Sequence, residues 1–168
     1  MKFVKIILLA CMLCSAAMAR AEEADPALHL KAVQELMAAM QTEKMMRTIT
    51  GTSGFPSEAK RTIAFAKLAK VPPAEIHARL GRQVRRYVSL STALEMTRYY
   101  NSAYGKKVLY ASYNSSASLG GAWRPAPTAA ERADMNRPAF IKAKKELEQA
   151  DQQIRYEGFL LMQAINRA

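Results

Sequence analysis

Apolar residues recur at steps of three and four along most of this chain, the spacing of one face of an α-helix. Leu30, Val33, Leu36, Met37 and Met40 make the first such face, which runs to about Met46. Asp25-Pro26 is a good start for it, with Asp as N-cap and Pro in the first helical position. Gly51, Ser53, Gly54 and Pro56 place a loop over 48–56. A second helix is predicted from about Pro56 to Lys70, with Ile63, Phe65, Leu68 and Ala69 turned inward. Val71-Pro72-Pro73 ends it and opens a third, on which Ile76, Leu80, Val84, Tyr87 and Val88 fall within about 120° of the helical wheel.

Thr92-Ala93-Leu94-Glu95 has the form of a capping box, so a further helix is expected to start there. Met96, Tyr100, Tyr104, Val108 and Ala111 form one of its stripes, and Tyr99, Ala103, Lys106 and Tyr110 another. Gly105 inside a helix costs about 1 kcal/mol against Ala. Beside Ser102, its expected purpose is to let another helix backbone approach. Residues 112–127 read as a loop in which Trp123, the single tryptophan, pins the loop to the core. Thr128-x-x-Glu131 is a second capping box, echoing the first at an offset of 36 residues. Pro138 breaks or kinks the chain, and a long helix continues to about Asn166. Phe140, Leu147, Ile154 and Leu161 repeat on it at every seventh position, with Ala143 and Ala150 on the same side. The fold class is therefore all-α: a bundle of about five helices, the last one long and kinked near Pro138.

The first twenty residues change the picture of where this bundle works. Lys2 and Lys5 precede an uncharged, mostly apolar run from Ile6 to Ala19, closed by Arg20. At 1.5 Å per residue that run spans roughly 21 Å, short of the ~30 Å hydrocarbon core of a bilayer. It has the size of a signal-peptide apolar region. Ala17-Met18-Ala19 and Ala19-Arg20-Ala21 both have the small-x-small form of a cleavage site. Residues 1–21 are thus expected to be a Sec-type signal, with 22–168 a single helical domain free of any transmembrane span. Leu8-Leu9-Ala10-Cys11 also resembles a lipoprotein box, but the apolar run continues past Cys11. Cys11 and Cys14 are the only cysteines, so the processed chain has none. The expected compartment is the periplasm, where that composition is at ease.

Charge is the next informative feature. The chain carries 25 basic and 14 acidic residues, a net +11. Cleavage after Ala19 leaves 23 basic residues and a net +9; cleavage after Ala21 also removes Arg20, for +8. Arg79, Arg82 and Arg86 cluster within about 60° of the third helix, opposite its apolar face, with Arg85 beside them. Four guanidiniums without an interleaved acid repel one another by a few tenths of a kcal/mol per neighbouring pair. They form either an anion-binding face, with Lys106 and Lys107 as further members, or an ordinary solvated helix face, or they pair with acids elsewhere in the fold.

Tyr99-Tyr100-Asn101-Ser102-Ala103-Tyr104-Gly105-Lys106-Lys107, preceded by Thr92-x-x-Glu95, resembles the signature of the domain of unknown function 2059 family. That signature is an aromatic pair, a Ser two positions on, then Gly and Lys, in a helix behind a Thr cap. The likeness covers about residues 60–115, with residues 128–166 as a helical extension. Here Tyr99 stands where Phe is common, and Ala103 and Tyr104 stand where Pro and a small residue often do. The resemblance implies an exported, all-helical bacterial envelope domain with no assigned activity. It marks Thr92, Glu95, Tyr99, Tyr100, Ser102, Gly105 and Lys106 as structural positions of the motif.

Catalytic and cofactor chemistry finds little to stand on. His29 and His77 are the only histidines, and neither has an HxxxH or HxxE partner suited to zinc. No phosphate-binding glycine loop and no GxSxG occur. The acids are too scattered to pick out a glycosidase pair. No catalytic residue, metal site or cofactor is assigned. The expected role is non-enzymatic: binding an anionic envelope component through the basic helix face, or binding another envelope protein through the Met- and Tyr-rich faces. Export makes nucleic acid an unsuitable partner despite the charge.

Overall fold

The computed structural model describes residues 25–114 and 125–168. The expected signal segment, and Trp123 with most of its loop, lie outside the described residues. The all-α class is correct: eight α-helices and no strand are present among the described residues. They are α1 (Pro26–Ala39), α2 (Thr42–Thr52), α3 (Glu58–Ala69), α4 (Pro73–Val84), α5 (Leu90–Asn101), α6 (Ala103–Asn114), α7 (Ala129–Met135) and α8 (Pro138–Arg167). None is long and apolar enough to cross a membrane.

Eight replaces the expected five or so because continuous apolar patterns conceal short turns. The face that runs from Leu30 to Met46 is broken at Gln41, whose φ of 53° is left-handed. The break costs the pattern nothing, since Met37 on one side and Met46 on the other are both fully buried. Buried Thr42 secures it by donating its hydroxyl to the Met37 carbonyl at 3.1 Å. Helix α2 then continues to Thr52, through residues expected in a loop. Thr50 and Thr52 return their hydroxyls to carbonyls of their own helix, which satisfies groups a loop would have exposed. Helix α3 is capped by Ser57, whose side chain accepts from the Lys60 N–H, and it buries Ala64 and Leu68. Ile63, Phe65 and Ala69 face outward instead.

The expected break and long last helix are both present, and Pro138 marks the start of that helix rather than a kink within it. It occupies the first turn of α8, where its missing N–H has no partner to lose. The break lies just before it, at Asn136 and Arg137. The seven-residue repeat is the core face of α8: Phe140, Ala143, Leu147, Ala150, Ile154 and Leu161 are all buried. This helix lies along α2, α3, α4, α5 and α7, while α1 packs against α4 and α5. Ile76, Leu80, Val84 and Val88 join that core as the pattern required, with Tyr87 at its edge. The core also takes in Met37, Met45, Met46, Met96 and Met162, so most of the described methionines fill space rather than face a partner.

Polar contacts tie the layers together. His29 Nε2 donates to the Val88 carbonyl at 2.7 Å, and His77 Nε2 meets Glu43 at 2.9 Å, joining α4 to α2. The Tyr113 hydroxyl, near the end of α6, donates to the Met40 carbonyl that closes α1, at 2.8 Å. Burial, reinforced by Glu43 against a weaker opposing effect of Arg155, pushes this phenol up to about 12. Tyr113→Phe is expected to lower stability by about 1 kcal/mol, the usual net worth of one such bond. Urea unfolding of the two proteins checks this.

Candidate functional site

The arginine face survives folding in part. Arg79 pairs with Glu75 at 3.3 Å, one turn back on α4, so the stripe is not wholly free of acid. Arg85 and Arg86 lie just past the last residue of α4, and Arg86 folds back onto Gln83, bonding its carbonyl at 3.0 Å and its side-chain amide oxygen. Its guanidinium also sits 5.7 Å from the Tyr87 ring centre. Arg82 and Arg85 are exposed and have no carboxylate partner among the described residues. Lys106 and Lys107 are exposed on α6, which packs chiefly against α5 and not on the helix of the arginines. The fold does not gather the six cations into one patch.

One side of the arginine face continues into apolar surface. Arg79, Leu80 and Gln83 border a shallow groove completed by Glu157 and Leu160 of α8. Leu160 is 39% exposed there, and its neighbour Phe159 is 36% exposed.

The motif residues do different work from that expected. Thr92 is not an N-cap. Helix α5 begins a turn earlier, with Ser89 as N-cap accepting from the Thr92 N–H at 3.3 Å. Thr92 is buried inside the helix, and its hydroxyl donates to Glu146 of α8 at 2.8 Å. Glu146 also accepts from the Ser89 N–H at 2.5 Å and the Ser89 hydroxyl at 3.0 Å. Partial burial works against this carboxylate, but the bonds from Ser89 and Thr92, with Lys142 nearby, hold it below the usual carboxylate range. The echo between residues 92–95 and 128–131 is therefore one of sequence only. Thr128 and Glu131 do form a reciprocal capping box, and the two bonds from Thr128 lower the Glu131 carboxyl as well.

Glu95 does not complete a capping box. It pairs with Arg98 at 2.9 Å and with Arg137, while Asp134 binds the same two arginines at 2.9 and 2.7 Å. This square of two acids and two arginines fastens α5 to the α7–α8 corner. Arg98 is 49% exposed, so Arg98→Ala is expected to lower stability by less than about 1 kcal/mol, as exposed pairs do. Thermal unfolding measures it.

Ser102 ends α5 and starts α6. Its backbone is extended (φ −67°, ψ 161°), and its hydroxyl accepts from the Gly105 N–H at 3.0 Å. Gly105 does allow a close backbone approach, but to the helix just before it. A Cβ there would overlap the Tyr99 carbonyl oxygen and stand 2.8 Å from Tyr100 Cα. The close approach of another helix backbone expected at Gly105 is therefore present, and a second one occurs at Gly81, where a Cβ would stand 3.2 Å from Gln34 Cα of α1.

This sharp corner turns three tyrosines toward α8. The Tyr99 ring stands edge-on to Tyr100 (centres 5.1 Å apart) and Tyr104 (6.3 Å), and tilts against Phe140 at 5.0 Å. These separations suit attractive aromatic packing. The rings border a cleft of about 470 Å³ whose far rim carries Lys144, Glu148 and Asp151 of α8. Tyr104 donates its hydroxyl to the Pro125 carbonyl at 3.1 Å. Burial first, then Tyr99, Tyr113, Asp151 and Glu148, hold the Tyr100 phenol above its ordinary range. Among the described residues no three His, Cys, Asp or Glu side chains gather as a metal cluster would.

Sequence reasoning missed Glu146, the Arg98–Asp134–Arg137 connections and this cleft. Glu146 had a signal: it is three residues after Ala143 and four before Ala150, on the flank of the core face of α8. Lys144, Glu148, Asp151 and Arg155 likewise share one side of that helix at steps of four, three and four. No family model, curated protein or solved structure matches this chain.

Proposed function

We propose that this chain is an exported, non-enzymatic envelope protein that docks on a phosphate-bearing anionic membrane surface through the arginine face of α4. The supporting observation is that Arg82 and Arg85 are exposed and unpaired, one and two turns beyond Arg79 and its groove with the exposed Leu160. Guanidiniums suit phosphate oxygens, and an adjoining apolar side chain suits the boundary just beneath head groups. The net charge favours approach to such a surface. The proposed compartment is the periplasm, after removal of residues 1–21, in keeping with the family likeness of residues 92–107.

Co-sedimentation with phosphatidylglycerol-containing vesicles, against pure phosphatidylcholine vesicles, tests this at low and physiological salt. Binding should require the anionic lipid and fall as salt screens the charges. Each cation near an anionic surface contributes about 1 kcal/mol, so Arg82→Gln with Arg85→Gln should weaken binding roughly thirtyfold. Equal binding to both vesicle types, or none at low salt, rules the reading out. Salt-insensitive capture of a protein partner would instead favour the exposed apolar residues Ile63, Phe65, Phe159 and Leu160.

A further inference from the structure

We infer that the tyrosine-walled cleft between the α5–α6 corner and α8 is a binding site for a small organic cation with an apolar body, such as an alkylammonium. Its walls are the rings of Tyr99, Tyr100, Tyr104 and Phe140, and its far rim holds Glu148 and Asp151. Aromatic faces attract cations and exclude water from their apolar substituents, which is the chemistry that quaternary and alkyl ammonium groups select. Most of the remaining lining is apolar, including Met96, Leu147 and Ile154, and matches a hydrocarbon body. At about 470 Å³ the cleft falls in the range of small-molecule sites.

The charge at the rim runs against that of the whole chain. Two carboxylates face the cleft beside one ammonium, Lys144, in a protein of net charge +11. Lys144 binds Oε1 of Glu148 at 2.7 Å, and Arg155 binds Oδ2 of Asp151 at 2.7 Å. Oε2 of Glu148 and Oδ1 of Asp151 have no partner among the described residues, and the Tyr100 hydroxyl has none either. Both ion pairs are solvent-exposed i,i+4 pairs, which compete weakly with a better-placed cation. An anion would meet these carboxylates instead, so the site selects by sign as well as by shape. This inference is independent of the arginine face, which is built on α4, and either can fail alone.

Titration of the protein with hexyltrimethylammonium, hexanol and hexanoate tests it, because the three share one tail and differ in the head. Calorimetry and the NMR resonances of the tyrosine rings supply the readouts. The cation should bind at least about tenfold more tightly than hexanol, with shifts at Tyr99, Tyr100 and Tyr104. Glu148→Gln with Asp151→Asn, at two exposed positions, should leave the fold intact and remove most of that preference. Equal binding of cation and alcohol would reduce the cleft to an apolar groove and overturn the assignment. Tighter binding of hexanoate, or no tyrosine shift with cation on the order of 10 mM, would overturn it too.

Discussion

Gly105→Ala is expected to destabilise the protein by about 3 kcal/mol or more, a large effect for one methyl group. In an ordinary helix interior the same change would be favourable by up to about 1 kcal/mol. The sign reverses because the added carbon would overlap the Tyr99 carbonyl oxygen and press on Tyr100 Cα. Those are backbone atoms of the preceding helix, so no rotamer change can relieve the clash. Relief requires opening the angle at Ser102, which also separates the Tyr99 and Tyr104 rings. Urea unfolding followed by far-ultraviolet circular dichroism should show the lower midpoint, and tyrosine near-ultraviolet signals should weaken in the folded variant. Unchanged stability would mean that the corner is not closed as tightly as described.

Glu146→Ala should lower stability by a similar amount, about 3 kcal/mol, since three donors lose one charged acceptor together. Thr92 suffers most, because its hydroxyl is buried and left without that partner. The pH dependence follows from the direction of the shift. The folded carboxyl titrates below its unfolded value of 4.5, so the unfolded chain binds more protons on acidification. This contribution to stability is fully present above about pH 4.5 and is lost as pH falls through the lowered folded value. Thermal unfolding between neutral and acid pH should therefore show a smaller decline in Glu146→Gln than in the parent. Parallel declines in the two proteins would remove Glu146 from the account.

The helical class was legible because burial imposes its period on the sequence wherever a helix meets the core. Ile76, Leu80, Val84 and Val88, and the sevenfold series from Phe140 to Leu161, declare their faces directly. Turns at Gln41 and Ser102 stayed hidden because the chain on each side of them supplies residues to the same interior, so the apolar pattern passes through unbroken. Capping was misread for a related reason. Thr92-x-x-Glu95 has the right letters, but Ser89 lies three residues upstream, and Glu146 from another helix holds both Ser89 and Thr92. A local motif cannot reveal a partner 54 residues away. The arginine stripe was visible at once, whereas the tyrosine cleft was not. Its walls and its acidic rim come from α5, α6 and α8, and only the bend at Ser102 brings them together.

The placement of α8 bears on how the molecule holds together. Residues 138–167 cover α2, α3, α4, α5 and α7 at once, along a helix of about 45 Å at 1.5 Å per residue. The other extensive packing, of α1 against α4 and α5, is made without it. Loss of these thirty residues should therefore leave a trio of helices with its inner face in water rather than a smaller finished protein.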